Sequence, residues 1–339
     1  MFMKNFLVLL VFVVCLGDRS IAQEQDAKTL HETARNFMKQ GDYSNAVLVL
    51  NRALQQEPES LEILKDLAFT RYLQKDYPKA SELIEPLLGR KDADVQVYQV
   101  AGMIYNGKED GKESEKLYKR GLKRFPNSGV LYNEYGELLW YRKDYNAIAM
   151  WERGIEADPN FAGNYYNAAK YYYLTTDKIW SIVYSEIFVN LESYSRRTIE
   201  VKNILLNSYK KLFTETDLTK NQNNKNEFTA AYLAAINRQS SLASMGITPE
   251  SLTMIRTRFV LDWDEKYASR FPFRLFEYHR QLLREGLFEA YNQWLFGPVQ
   301  NLTAFQNWTT VHAESYKTFS DFQRGRVFKL PGGQNYQGK

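Results

Sequence analysis

The sequence of 339 residues has few of the histidine and cysteine residues from which catalytic and metal sites are often built. It contains three histidines and a single cysteine, Cys15. It has no HExxH, no GxSxG and no glycine-rich phosphate-binding loop, so the case for an enzyme or a cofactor is thin. No run of five or six like charges occurs, and the net charge is only +4. Nucleic acid is therefore not an implied partner.

Residues 1–22 have the features of a cleavable signal peptide. Lys4 gives a basic start, residues 6–16 form an apolar run, and Ser20-Ile21-Ala22 offers a small-x-small cleavage site. The apolar run is too short to span a bilayer comfortably. Cleavage would remove Cys15 and with it every thiol, so no disulfide could form. We expect an exported protein, periplasmic or associated with the cell envelope, with no integral membrane segment after signal removal.

The rest of the chain is organised by a helical hairpin that recurs about every 34 residues. In the first repeat, an amphipathic helix is followed by the turn Gly41-Asp42-Tyr43, a second amphipathic helix and Pro58. One small residue returns in each first helix and another in each second helix. The first set is Ala34, Ala68, Gly102, Gly136 and Ala169, and the second is Ala46, Ala80, Ser114, Ala147 and Ser181. In period, small positions and aromatic positions this pattern resembles the tetratricopeptide repeat family.

The resemblance implies an all-α fold, a right-handed α-solenoid of helical hairpins, and no stretch shows the alternation of a β-strand. Later helical patterns predict an additional C-terminal helical section, whose last helix runs from about Leu302 to Phe322. The expected segments are five repeats in 27–193, a capping or degenerate repeat helix in 194–213, a polar linker in 214–226, a C-terminal helical domain in 227–322 and a flexible tail in 323–339.

In such a solenoid the first helices line a concave groove, and residues beside each small position should project into it. We hypothesise that Trp140, Tyr166 and Tyr173 anchor a bound peptide. Asn106 and Asn133 would contact its backbone. Arg35, Lys65 and Lys170 would steer acidic groups. The predicted groove residues are Arg35, Lys65, Phe69, Tyr72, Gln99, Asn106, Asn133, Glu137, Trp140, Tyr166, Lys170 and Tyr173.

Three functions follow as hypotheses. The favoured one is a non-catalytic scaffold, a monomer or weak oligomer without cofactor, that binds a protein or peptide in the groove. The second is a glycan- or nutrient-binding helical-repeat protein associated with an outer-membrane transporter, with sugars stacked on the aromatic groups. The third is a hydrolase or metal enzyme with its site in residues 228–322, built from His279 or His312 and nearby acids. Both histidines fall on apolar helical stripes, where a packed core histidine is the commoner outcome.

Overall fold

The computed structural model describes residues 26–214, 217–219, 222–223, 225–244 and 246–338, so the predicted signal peptide lies outside the described residues. The described part of the chain is helical, with no strand, which confirms the all-α prediction. Its α-helices are α1 (Ala27–Gln40), α2 (Tyr43–Gln56), α3 (Leu61–Leu73), α4 (Tyr77–Leu87), α5 (Val95–Gly107), α6 (Gly111–Arg124), α7 (Gly129–Tyr141), α8 (Ala147–Ala157), α9 (Ala162–Leu174), α10 (Lys178–Leu191), α11 (Arg196–Leu212), α12 (Glu227–Asn237), α13 (Ser240–Ala243), α14 (Pro249–Lys266), α15 (Arg274–Arg284), α16 (Phe288–Gln300), α17 (Leu302–Val311) and α18 (Ala313–Gly325).

The chain divides into two compact units, Met1–Leu83 and Ile84–Lys339. In the first unit, α1, α2 and α3 pack on one another. Leu30 and Ala34 of α1, Leu50 and Ala53 of α2, and Leu67 of α3 belong to one buried cluster. The predicted apolar faces of the first hairpin therefore form the core of this unit.

In the second unit, the hairpins α5–α6, α7–α8 and α9–α10 follow one another in a stack. The first helices of successive hairpins are in contact, α5 with α7, α7 with α9, and α9 with α11. This is the nesting that the repeat period predicts. Within the described part of the chain, no helix is both long and apolar enough to cross a membrane.

The small residues of the repeat pattern are all buried. Two of them leave no room for a methyl group. A Cβ at Gly102 would overlap the hydroxyl end of Tyr118, and a Cβ at Gly136 would overlap the indole of Trp151. In these two hairpins a bulky ring of the second helix is therefore seated on the small residue of the first helix.

The turn inside each of the first four hairpins has the same backbone conformation. Gly41, Lys75, Glu109 and Lys143 recur once per repeat and adopt the left-handed region, with φ values of 79°, 62°, 59° and 61°. The aspartates after the first three accept a backbone N–H from the first turn of the next helix, and Asp144 accepts the N–H of Asn146, just before α8. Asp42, Asp76 and Asp110 therefore cap the helices that follow them, whereas the residue before α8 is Asn146.

The C-terminal section packs onto the end of the repeats, with α16 in contact with α11, α14 and α15. The helix predicted between about Leu302 and Phe322 is two helices, because His312 leaves helical geometry (φ −108°, ψ 36°). The His312 ring is exposed and stacks on Trp308 with centroids 4.4 Å apart, so its prediction as a core histidine is wrong.

The prediction of a flexible tail in residues 323–339 is also wrong as far as residue 338. Residues 323–325 complete α18. After it, Phe328, Leu330 and Tyr336 are buried against the rest of the second unit. Their apolar surface outweighs the cost of ordering a stretch that is otherwise rich in glycine and glutamine.

Candidate functional site

The predicted basic end of the groove lies in the first unit, and its cations are already paired. The Arg35 Nε atom lies 2.7 Å from Asp66 Oδ2, and His31 Nε2 lies at the same distance from that oxygen. Lys65 Nζ lies 3.0 Å from Glu62 Oε1. The Lys65 side chain is only 3% exposed, so the expectation that it projects into a groove is wrong.

The two aromatic residues predicted in the same unit pack on their neighbours. The rings of Phe69 and Tyr72 are stacked with centroids 6.1 Å apart, and Tyr72 also contacts Tyr77 at 5.9 Å. Both Phe69 and Tyr72 are at least half-buried. Their packing within the third and fourth helices accounts for their aromatic character without a ligand.

In the second unit, side chains of successive first helices form a ladder of hydrogen bonds. Gln99 of α5 donates to Glu134 of α7 at 2.9 Å. Asn167 of α9 donates to Asn133 and Glu137 of α7 at 2.9 and 3.0 Å. We call these five residues the amide ladder. It fixes each first helix to the first helix of the next hairpin.

The ladder changes the role expected for Asn133. Its Nδ2 atom donates to Glu137 at 2.9 Å and its Oδ1 accepts from Asn167. Only 8% of the residue is exposed. Asn133 therefore holds the stack together, and the hypothesis that it contacts the backbone of a bound peptide is wrong.

Glu134 is the buried carboxyl of the ladder. Burial, reinforced by the charge of Glu137, raises its pKa to about 7, although hydrogen bonds from Gln99 and Tyr118 oppose the shift. The carboxyl is therefore easily protonated near neutral pH.

At the far end, Tyr166 and Lys170 are joined to a residue that the sequence did not single out. Glu200 of α11 accepts the Tyr166 hydroxyl at 2.7 Å and pairs with Lys170 Nζ at 2.9 Å. The Arg197 guanidinium lies 4.9 Å from the centre of the Tyr166 ring. Glu200 follows Tyr166 by one repeat length, so the repeat period itself was the signal that could have found it.

The ammonium groups of two lysines lie near the ring of Tyr173. Lys211 Nζ lies 3.9 Å and Lys178 Nζ lies 5.7 Å from the centre of its ring. The residue is half-buried. A ligand that stacked on this ring would have to displace an ammonium group.

The most open of the predicted anchors is Trp140, at the end of α7. It is 37% exposed, and it is surrounded by Tyr145 and Tyr171, each at a centroid distance of 6.0 Å. Tyr141, next in sequence, is 85% exposed. We call Trp140, Tyr141, Tyr145 and Tyr171 the aromatic patch. Within it the Trp140 ring contacts the rings of Tyr145 and Tyr171; Tyr141 and Tyr145 are exposed and Tyr171 is half-buried.

Three polar residues among the predicted groove residues are also exposed, namely Arg35, Asn106 and Glu137, and Arg35 is paired with Asp66. Asn106 occupies the position one repeat before Trp140. Its Oδ1 accepts from Ser114 at 2.8 Å and its amide also bonds the Tyr118 hydroxyl, so one of its two N–H donors is left for a ligand. Glu137 is the exposed member of the amide ladder. In the second unit, the predicted residues therefore separate into a structural group and a solvent-facing group of Asn106, Glu137 and Trp140.

Of the residues considered for an enzyme site, His279 belongs to an interior ion network. Glu186 of α10 pairs with Arg256 of α14, accepts the Tyr291 hydroxyl at 2.8 Å and lies 2.7 Å from His279 Nε2. All four side chains are buried. Burial lowers the His279 pKa, against the opposing effect of the Glu186 charge. Among the described residues, no three His, Cys, Asp or Glu side chains lie close enough to hold a metal ion.

Comparison with known proteins identifies a known repeat in one part of the chain. Residues 37–104 match the family model described as tetratricopeptide repeat. Among solved structures, the chain is similar to a thermophilic tetratricopeptide repeat protein of Thermus thermophilus, with 16% identity, a TM-score of 0.39, and 55% of this chain and 98% of that chain covered. It is also similar to a tetratricopeptide repeat protein of Parabacteroides merdae ATCC 43184, with 14% identity, a TM-score of 0.42, and 70% and 91% of the two chains covered.

No curated protein gives a significant match. The family-model match covers residues whose hairpins return once per repeat period and whose small positions are buried as the family pattern requires. Residues 37–104 therefore carry the tetratricopeptide repeat, and the hairpins that follow keep its period.

Proposed function

We propose that the chain is a non-catalytic scaffold that binds a protein or peptide, and that the aromatic patch is the centre of its binding surface. The observation that carries this proposal is the exposure of Trp140 and Tyr141 at the end of α7, beside Tyr145. Exposed aromatic clusters on rigid elements are the usual source of binding energy in protein interfaces. Tetratricopeptide repeats are, as a family, protein-interaction modules, which agrees with this role.

The polar surroundings of the patch define the kind of partner. Asn106 and Glu137 offer an amide donor and a carboxylate, and Lys170 already has Glu200 as its partner. A strongly acidic ligand would therefore gain little at this surface. We propose that the partner presents apolar side chains to the aromatic patch and a backbone carbonyl to Asn106.

The test is a selection of peptides from a random display library, followed by affinity measurement with fluorescence anisotropy. We expect Trp140→Ala with Tyr145→Ala to weaken the selected peptides at least 10-fold, about 1.4 kcal/mol, because the anchor rings are removed. The matched control is Tyr194→Ala, which removes an exposed ring outside the patch. Equal affinity of the wild type and the double variant would remove the patch from the proposal.

We further propose that the protein is exported to the periplasm or cell envelope after cleavage behind Ala22. The basic start and apolar run of residues 1–22 support it. N-terminal sequencing of the protein isolated from its host should begin at Gln23. Recovery of the chain with Met1 intact from the cytosolic fraction would contradict export.

One observation favours the glycan-binding alternative. A cavity of about 250 Å³ is lined by Tyr194, Trp294, Tyr316 and Phe319, together with Ser320 and Arg324. Aromatic faces beside a hydroxyl and a guanidinium suit a sugar ring. Calorimetry against a glycan panel, with Tyr316→Ala as the variant, distinguishes this function from peptide binding at the aromatic patch.

A further inference from the structure

The segment of residues 326–338, here called the C-terminal segment, lies on the second unit in the manner of a bound peptide. The Asn160 side chain, in the turn between α8 and α9, contacts both backbone groups of Leu330. Its Oδ1 accepts the Leu330 N–H at 2.9 Å, and its Nδ2 donates to the Leu330 carbonyl at 3.1 Å. A side-chain amide that hydrogen-bonds both the N–H and the carbonyl of one residue can bind extended backbone whatever its side chain.

The far end of the C-terminal segment is held in the same way. Asn226, which caps α12, donates its Nδ2 to the Tyr336 carbonyl at 2.8 Å. The first backbone N–H of α15, at Arg274, donates to Gln334 Oε1 at 2.7 Å. Gln337 Nε2 donates to the hydroxyl of Tyr172 on α9 at 2.7 Å. Contacts from both the repeats and the C-terminal helices therefore converge on the segment.

Alternate side chains are buried in the first part of the segment. Phe328 and Leu330 are buried, whereas Val327 and Lys329 beside them are exposed. Such alternation is typical of an extended peptide that reads a surface with every second residue. Tyr336 is stacked on Phe228 with centroids 4.9 Å apart, and its hydroxyl donates to the Pro272 carbonyl at 2.7 Å.

The first residue of the segment connects it to the interior ion network. The Arg326 guanidinium lies 4.3 Å from the centre of the Tyr278 ring, and its Nη2 donates to Asn190 Oδ1 at 2.6 Å. Asn190 in turn donates to the Tyr291 hydroxyl, which donates to Glu186. The first residue of the segment is therefore held by specific contacts with buried side chains.

We propose that this surface is a second peptide-binding site, separate from the aromatic patch, which the chain's own C-terminal segment fills and which takes an extended segment of a partner protein when its own segment is released. The ligand it fits has phenylalanine and leucine two residues apart, glutamine four residues after the leucine and tyrosine two residues after the glutamine. The segment holds its place through side-chain contacts and the high effective concentration that covalent attachment gives. A partner segment with the same chemistry competes for the same amides and pockets.

The experiment uses the full chain and a fluorescent peptide with the sequence of residues 324–338. Leu330→Asp in the chain removes a buried anchor and puts a charge in its pocket, so the segment is released while the site remains. We expect the peptide to bind this variant at least 10-fold more tightly than it binds the wild type. Adding Asn160→Ala to the variant should weaken the peptide at least 10-fold, because the backbone contact with Leu330 is lost.

A second, milder variant keeps the test independent of folding. Tyr336→Phe with Gln337→Ala removes two hydrogen bonds of the segment and leaves its apolar anchors in place, and circular dichroism checks the helical content of both variants. Peptide affinity that is the same for the wild type and both released variants overturns the proposal. Sedimentation identifies the source of the ligand. A concentration-dependent wild-type dimer that the free peptide dissociates would assign the site to a second copy and overturn the assignment to a partner protein.

Discussion

Glu186 and Arg256 form an ion pair inside the second unit, each with 2% of its side chain exposed. The pair joins the last repeat helix, α10, to α14 of the C-terminal section. Removing one partner leaves an isolated buried charge, which costs far more than the pair itself is worth. We expect Arg256→Met to lower the free energy of unfolding by about 3–5 kcal/mol.

Urea denaturation followed by circular dichroism measures this loss. The control is the double variant Arg256→Met with Glu186→Gln, which removes both charges and should recover part of the stability. A single variant as stable as the wild type would show that the network does not connect the two sections.

The same pair makes the fold sensitive to acid. Burial acts to raise the Glu186 pKa, but Arg256, His279 and the Tyr291 hydrogen bond together lower it to about 2. A lowered folded-state pKa contributes stability above the ordinary value of 4.5, and that stability is lost as pH falls from 4.5 towards 2. We expect the urea midpoint of the wild type to drop over this window, and that of Glu186→Gln to drop less.

The pH dependence of stability that we expect from Glu134 has the opposite sign to that of Glu186. The Glu134 pKa is raised to about 7, so the folded state favours the protonated carboxyl. The stability that this group contributes is complete below pH 4.5 and is lost as pH rises through about 7. We expect Glu134→Gln to raise the free energy of unfolding by about 2 kcal/mol at pH 8 and to leave it nearly unchanged at pH 4.5. Thermal melts at the two pH values check this, with exposed Glu289→Gln as the control.

The left-handed turn residues store strain that glycine would relieve. Lys75 has a φ of 62°, a conformation that costs a side-chain-bearing residue about 1 kcal/mol. We expect Lys75→Gly to raise the free energy of unfolding by about 0.5 kcal/mol after the entropy of the unfolded chain is counted. Lys75→Ala, which keeps the Cβ, is the control and should be neutral. Denaturation midpoints of the wild type and the two variants measure these changes. A lower midpoint for Lys75→Gly than for the wild type would contradict the prediction.

The variant Gly136→Ala tests the packing between the two helices of one hairpin, α7 and α8. The added Cβ would overlap the Trp151 indole, whose Nε1 donates to the Asn133 carbonyl at 3.3 Å. The ring has to move, and we expect a loss of about 1–3 kcal/mol. Gly332→Ala has no atom near the new Cβ and serves as the matched control. Differential scanning calorimetry should give a lower Tm for Gly136→Ala alone.

The sequence predicts the repeats well because their signal is local and recurs. A small residue returns in every repeat, and at Gly102 and Gly136 a bulky ring of the second helix packs on it. The sequence predicts the candidate site less well. Asn133 and Lys65 lie at positions that a solenoid usually turns outward, yet both are buried by partners from their own and neighbouring helices.

Contacts between residues far apart in the sequence produce no periodic pattern from which they could be predicted. Glu186 lies on α10 and Arg256 on α14, and Asn160 and Leu330 are separated by more than half of the chain. No composition or spacing rule connects such pairs. The C-terminal segment shows the difficulty best, because its three buried apolar residues lie in a stretch whose composition is typical of disorder.

The contact between α11 and α16 has a consequence for how the protein is made. Tyr209 of α11 packs edge-on against Phe296 of α16, and Lys202 of α11 donates to the Trp294 carbonyl at 2.7 Å. Four helices separate α11 from α16 in the sequence, so the apolar side of α11 leaves the ribosome long before the helix that shields it. During synthesis the repeats can assemble one after another, but this last surface stays uncovered until α16 has been translated, and that interval is when a chaperone would be most useful.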